Sequence, residues 1–312
     1  MNTYGDKFRL TTYGESHGLA VGAVIDGCPA GVAIDMEAIS DALARRRTDA
    51  PRQEEDQIEW LSGLNDGITL GTPIAFAIRN KNARPEDYAQ LEHFFRPGHA
   101  DYTYYMKYGV RDHRGGGRAS ARETVARVVA GCIAKQLMPE VCIKVEPFYD
   151  EETFHETSLP NISLQDDTVG GVVRCSVTGV PAGVGEPLFG KLGAALASAM
   201  MSIPSAIGFE MGAGFAAAKM RGSEYIDRWN SDGSTKTNHC GGIQGGISNG
   251  MPIEFSVAFH PVVTIPQPVE CLHEDGHLET MTIGGRHDRH HVERAAAVVE
   301  AMAAICLVNY LL

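Results

Sequence analysis

AAAVVEAMAAICLVNYLL, residues 295 to 312, is the most apolar run in the chain. A stretch like this either crosses a membrane or demands cover from the rest of the protein. Glu300 and Asn309 interrupt it, and it is short for a span, so it reads as a buried helix. No membrane is expected as a partner.

The remaining sequence supplies material to bury it. FRLTTYG and LAVGAVIDG read as strands joined by GESHG, with Val21, Val24 and Ile25 giving β-branched weight. MEAISDALARRR reads as a helix with Asp35 as its N-cap and arginines in the last turn, where they suit the dipole. GITLGTPIAFAIRN reads as a strand pair, and residues 120 to 138 as a helix with Ser120 as its cap and Glu123 three residues on. GGVVRCSVTGV and MPIEFSVAFH read as strands; EPLFGKLGAALASAMM reads as a helix bounded by Pro204, IGFEMGAGF follows it, and a last helix starts at Val292. Strands and helices mix without a βαβ rhythm. The expectation is therefore an α+β fold in one domain over residues 1 to 312, as a layered sandwich rather than a doubly wound sheet. DGSTKTNHCGGIQGGISNG is too long for a hairpin turn and reads as a functional or mobile loop.

Charge narrows the function. The chain carries a net −12, which argues against nucleic acid as a partner, since that needs a broad positive surface. Yet residues 96 to 131 hold six arginines and one lysine against three carboxylates. A local cationic patch on an acidic background reads as a pocket for a small anion. Seven cysteines without a CxxC pair read as reduced thiols. The opening MNTYGDKFRL lacks a basic-then-apolar leader, so a cytoplasmic protein is expected.

Within the patch, GGGRASARE combines free backbone N–H groups, a helix N-terminus and Arg114, Arg118 and Arg122, all suited to an anion. It lacks GK[ST] and does not fit a dinucleotide fingerprint. GESHG matches the nucleophile elbow of serine hydrolases in letters, but a β-branched strand follows it where that elbow needs a helix. The better reading is a tight turn whose Gly14 and Gly18 bring backbone close to a ligand that His17 faces. His287, His290 and His291 beside Asp288 have helical spacing, and an anion or acid–base role outweighs a metal there. No second ligand cluster stands out, so no metal is expected. Arg45, Arg46 and Arg47 read as a solvated helix end or as a polyanion contact.

Taken in order, TTYGESHG (11–18), RRR (45–47), FRPGHADYTYYMKYGVRDHRGGGRASARET (95–124), GVPAGVGEP (179–187), MRGSEYID (220–227), GGIQGGISNG (241–250) and GRHD (285–288) resemble one family, the chorismate synthases. The resemblance implies a β-α-β sandwich assembling as a homotetramer. It implies loss of phosphate from 5-enolpyruvylshikimate 3-phosphate (EPSP) by 1,4-anti elimination, giving chorismate with reduced FMN as cofactor. Two carboxylates and two phosphates then need guanidiniums and N–H groups when they leave water.

By position, His17 matches the proton donor to the leaving phosphate, His99 a histidine beside the flavin, and Asp288 the carboxylate that assists removal of the C6 proton. Arg118, Ala119 and Ser120 match a flavin-contacting segment. Pro204, Ser205, Gly245, the run His260, Pro261, Val262, Val263 and Thr264, and Arg286 match further flavin contacts. Arg46, with Arg52, Arg114 and Arg122, is assigned to substrate or NADPH. NADPH enters only indirectly, by reducing the flavin outside the protein.

Departures accompany the match. His260-Pro-Val-Val-Thr264 replaces a family Lys-Pro-Thr-Ser-Thr, Pro204-Ser205 replaces Asn-Ala, and GRHDRHHV replaces GRHDPCV. The loop after Arg47 is shortened, and the usual C-terminal tail is missing. Rival readings are a flavoprotein acting on another enol-ether phosphate, and a flavin-binding module without catalysis.

Overall fold

The structure, a computed structural model, describes residues 1–47, 54–148, 167–284 and 291–312. Its strands are β1 (Thr3–Tyr4), β2 (Arg9–Tyr13), β3 (Ala20–Asp26), β4 (Ile58–Ser62), β5 (Leu64–Asn65), β6 (Ile68–Thr69), β7 (Ile74–Arg79), β8 (Phe94–Phe95), β9 (Cys142–Phe148) and β10 (Gly171–Thr178). They continue with β11 (Ala206–Met211), β12 (Ile243–Gln244), β13 (Ile247–Ser248), β14 (Ile253–Phe259), β15 (Pro268–His273) and β16 (Leu278–Thr282). The helices are α1 (Met36–Arg47), α2 (Asp101–Tyr108), α3 (Thr124–Gln136), α4 (Leu192–Met201), the single turn α5 (Gly222–Tyr225) and α6 (Val292–Leu311).

One antiparallel sheet runs β1-β2-β3-β7-β4 and a second runs β11-β14-β10-β9. The helices lie between them. α3 packs on β2 and β3, α6 packs on β9 and β10, and α1, α3 and α4 all touch α6. This is the α+β layered sandwich the sequence implied. α6 is long and apolar enough to cross a membrane, but most of it is buried by the two sheets and the other helices. Its small residues Ala301, Ala303 and Ala304 are almost fully buried, which lets neighbouring backbones come close.

Local chemistry sets the element ends. The Asp35 carboxylate accepts from the Ala38 N–H at 2.9 Å, capping α1 as its sequence predicts. The helix expected over 120 to 138 is divided: two 3-10 turns, Gly117–Ala119 and Ala121–Glu123, precede α3. Ser120 Oγ accepts from the Arg122 N–H, while buried Glu123 pairs with Arg127 at 2.8 Å instead of returning to the cap. α4 begins at Leu192, so EPLFGK lies outside the helix. A third sheet, β16-β15-β8, sits over a small core of Leu91, Cys271 and Ile283. Its strand β8 leads straight into Arg96 and His99.

Candidate functional site

The β2–β3 connection carries His17. Ser16 is buried, its Oγ lies 3.1 Å from His17 Nδ1, and its N–H donates to Gly117 O at 3.2 Å. Asn80 holds the same turn, donating to Glu15 O and Gly18 O at 2.9 Å each. The imidazole meets the Tyr88 ring edge-on, 4.9 Å between centroids. Gly115 has φ +74°, and a Cβ there would stand 2.5 Å from His17 Nδ1, so the histidine position depends on that glycine. Strand β3 follows the turn, so GESHG is not a nucleophile elbow.

His99 sits in a turn closed by a buried ion pair. Arg96 Nε and Nη2 reach the two oxygens of Asp101 at 2.8 and 3.0 Å, and the Arg96 N–H adds 3.1 Å to the same carboxylate. Burial would raise the Asp101 carboxyl, but the guanidinium holds it below the usual carboxylate range. Arg96 also donates to Gly115 O at 3.2 Å, joining the two histidine-bearing turns. His99 Nδ1 is 2.9 Å from Pro97 O, and Nε2 is 2.8 Å from Thr264 Oγ1. A carbonyl only accepts, so Nδ1 carries the proton and neutral Nε2 accepts from the Thr264 hydroxyl. Burial, then the nearby Arg96, lower the pKa of His99, which favours this neutral form.

The arginines differ in what holds them. Arg122 is buried against Asp56 and donates from Nε to Asn80 Oδ1 at 2.9 Å. Arg114 is exposed and pairs with Asp112 at 2.8 and 2.9 Å. Arg118 reaches Thr12 Oγ1 at 2.7 Å, Thr12 O and Gly14 O at 3.2 Å, and Asn2. Arg46, 5% exposed, donates to Thr124 Oγ1 at 3.1 Å and Ala121 O at 2.8 Å. Among the described residues neither Arg46 nor Arg118 is paired with a carboxylate. Burial first and Arg294 second pull the Arg46 guanidinium down to about 9. A guanidinium keeps its proton at neutral pH, so the site favours an incoming anion.

His17, His99, Arg46, Arg118 and Arg122 face one cavity of about 1250 Å³, larger than the roughly 300–1,000 Å³ usual for one small ligand. There is room for two. Its wall includes His17, His99, Arg46, Arg118, Ala119, Ser120, Arg122, Pro204, Ser205, His260, Val262, Val263 and Thr264. Ser205 takes a left-handed φ of 70°, and its carbonyl accepts from the His260 N–H at 3.1 Å. Eight arginines and four histidines face six carboxylates around the wall.

Three expected residues lie off that wall. Gly245 sits in the turn between β12 and β13, Arg114 is exposed, and Pro261 does not line the cavity. Arg52, Arg286 and Asp288, with His287 and His290, lie outside the described residues. Sequence reasoning missed the Arg96–Asp101 clamp, the Asn80 strut, Tyr88 and Arg294. The clamp had a signal: an arginine and an aspartate flanking a Pro-Gly turn five residues apart.

A family model described as chorismate synthase matches residues 8–312. A chorismate synthase of Christiangramia forsetii is 48% identical, covering all of this chain and 97% of the relative; one of Porphyromonas gingivalis is 49% identical, covering 99% and 95%. The first alignment runs over 344 positions against 312 residues here, so at least 32 of its positions have no counterpart in this chain. A crystal structure of a chorismate synthase superposes with a TM-score of 0.72 at 29% identity, over 99% of this chain and 92% of that one. With the family model spanning residues 8–312 and full-length relatives at 48–49% identity, the protein belongs to the chorismate synthase family of carbon–oxygen lyases.

Proposed function

We propose that residues 1 to 312 act as one cytoplasmic catalytic domain, assembled as a homotetramer, that converts EPSP to chorismate and phosphate by 1,4-anti elimination with reduced FMN. The observation that carries this reading is one cavity where His17, His99 and two arginines without carboxylate partners among the described residues converge. Its volume accommodates a substrate and a flavin together.

The flavin fits the residues present. Arg118, Ala119, Ser120 and the 260–264 segment would hold it, with Arg286 and Gly245 as further contacts. Reduced FMN, when bound, supplies an electron-rich ring system to a reaction with no net redox change. Arg46 and Arg122, on the wall beside it, would take the carboxylates and phosphate of EPSP.

The bonds balance simply. The C6–H bond breaks and its electron pair forms a C6=C1 double bond, the C1=C2 pair shifts to C2=C3, and the C3–O pair leaves with the phosphate. His17 gives its proton to the departing phosphate, with Ser16 orienting the ring. Asp288 assists removal of the C6 proton. Neutral His99, locked between Pro97 O and the Thr264 hydroxyl, presents a fixed polar edge to the cavity. Arg52 and Arg114 remain secondary candidates for anion contact.

The test is anaerobic turnover of EPSP with dithionite-reduced FMN. Chorismate and phosphate in equal amounts support the reading; phosphate without chorismate, or no product, refutes it. FMN is expected to arrive already reduced, so NADPH with oxidised FMN alone gives no sustained product.

A further inference from the structure

We propose that the tip of the β15–β16 hairpin, formed by His273, Asp275 and His277, is a binding site for a divalent transition-metal ion of the zinc class. The sequence reading saw no second ligand cluster, because these three residues alternate across a turn instead of sharing a helix face. The fold gathers them. One ligand atom from each lies within 4.8 Å of the others.

The turn is built to hold them there. The His273 N–H donates to His277 O at 2.9 Å, and the Gly276 N–H donates to His273 O at 2.9 Å. Gly276 takes φ +97°, a conformation that suits glycine and lets the chain reverse within four residues. The imidazoles of His273 and His277 stack with centroids 4.5 Å apart, and Phe94 packs edge-on to both at 4.8 and 5.9 Å. Phe94 belongs to β8 and is paired in register with His273, so the rings lean on a sheet rather than on a free loop. On the flank, His93 reaches Glu274 at 3.3 Å, and the Glu274 N–H donates to His93 O.

The polar contacts at the tip call for a cation. His273 Nδ1 is 2.9 Å and His277 Nδ1 2.5 Å from the same oxygen of Asp275. His273 Nδ1 also faces the Asp275 N–H at 3.2 Å. A ring nitrogen that accepts from an amide presents a lone pair, and that lone pair then points at a carboxylate oxygen. No single protonation state of His273 satisfies both neighbours. A metal ion among the three atoms takes the lone pairs of both imidazoles and the carboxylate charge together.

Donor chemistry selects the ion. Two imidazole nitrogens and one carboxylate suit zinc, copper or nickel rather than the all-oxygen shells of calcium and magnesium. A tetrahedral ion about 2.0–2.1 Å from each ligand spaces its donors about 3.3 Å apart, within reach of side chains 25%, 63% and 52% exposed. Water completes the shell, so the site exchanges with solvent. The tip lies outside the substrate cavity.

The experiment compares full-length wild type with the Asp275→Asn/His277→Gln double variant, each stripped with chelator and titrated with Zn²⁺ alone and Co²⁺ alone. EPSP turnover checks that the variant is folded. Wild type should bind one more equivalent of Zn²⁺ than the variant, and its melting temperature should rise on Zn²⁺ addition while the variant's does not. The weakening should exceed the roughly 10-fold lost when a mere supporting partner is removed. The extra Co²⁺ should give visible bands without thiolate charge transfer, which excludes the cysteines, buried Cys271 among them. Equal stoichiometry and affinity in the two proteins overturns the proposal, as does an extra equivalent whose cobalt spectrum carries a thiolate band.

Discussion

Arg45 and Arg46 are neighbours on α1 and meet opposite fates. Arg45 turns to the helical layer and donates to Glu300 at 2.7 Å, and Lys135 joins the same buried carboxylate. Burial pushes the Glu300 carboxyl up, but the two cations outweigh it and hold it below its usual value. Arg46 turns to the cavity and finds a hydroxyl and a carbonyl instead. Nearby carboxylates are already engaged: Asp56 by Arg122, Asp101 by Arg96, Glu123 by Arg127. In the packed layer a buried charge comes with its counter-charge. At Arg46 the counter-charge has to be brought by the ligand.

The largest expected effect breaks the chemistry and spares the electrostatics. His17→Ala should lower turnover by about 10²- to 10⁴-fold, the range for a positioned acid, while EPSP and FMN still bind by calorimetry. Near-normal turnover would remove His17 from that role.

Glu300→Gln tests the layer side. Leaving Arg45 and Lys135 without their acid should cost about 1.5–3 kcal/mol in urea melts, the range for hydrogen bonds to charged groups. The sign with pH follows from the lowered carboxyl. Its contribution is complete above the ordinary glutamate pKa of about 4.3 and is lost as pH falls through the folded value. The gap between wild type and variant should therefore close in acid. A gap that persists there would assign the loss to packing.

Arg118→Ala is expected to be milder. FMN affinity should fall about 10-fold, a charge-assisted bond being worth roughly 1.4 kcal/mol or more, and riboflavin affinity much less. Equal losses would place the contact on the ring system or the substrate.

How far the sequence carried depended on the kind of signal. The apolar run of α6, the Asp35 cap of α1 and the β-branched strands of the first sheet depend on local residue chemistry, and all appear as read. α2 went unread because DYTYYMKY lies in a block whose arginines and glycines read as a binding loop. β15 and β16 went unread because VECLH and LETMT show no clean apolar alternation; their core is the small one under Cys271 and Ile283. At the site, the family resemblance put His17, His99, Arg46 and Arg118 on one list, and the fold puts them on one wall. The Arg96–Asp101 clamp and the unmet charge of Arg46 needed coordinates, because pairing and burial are set by long-range packing.

Arg46→Leu gives the most direct test of the claim that this cavity leaves positive charge for its ligand to neutralise. Thermal unfolding would be followed with and without EPSP. Unliganded stability should equal or exceed that of wild type, because an apolar side chain replaces a buried charge without an acid, and the EPSP-induced rise in melting temperature should be largely lost. A variant that loses unliganded stability yet keeps the full EPSP-induced rise would contradict that claim. Arg46 would then be a strut between Ala121 and Thr124, and its charge would not be part of the anion site.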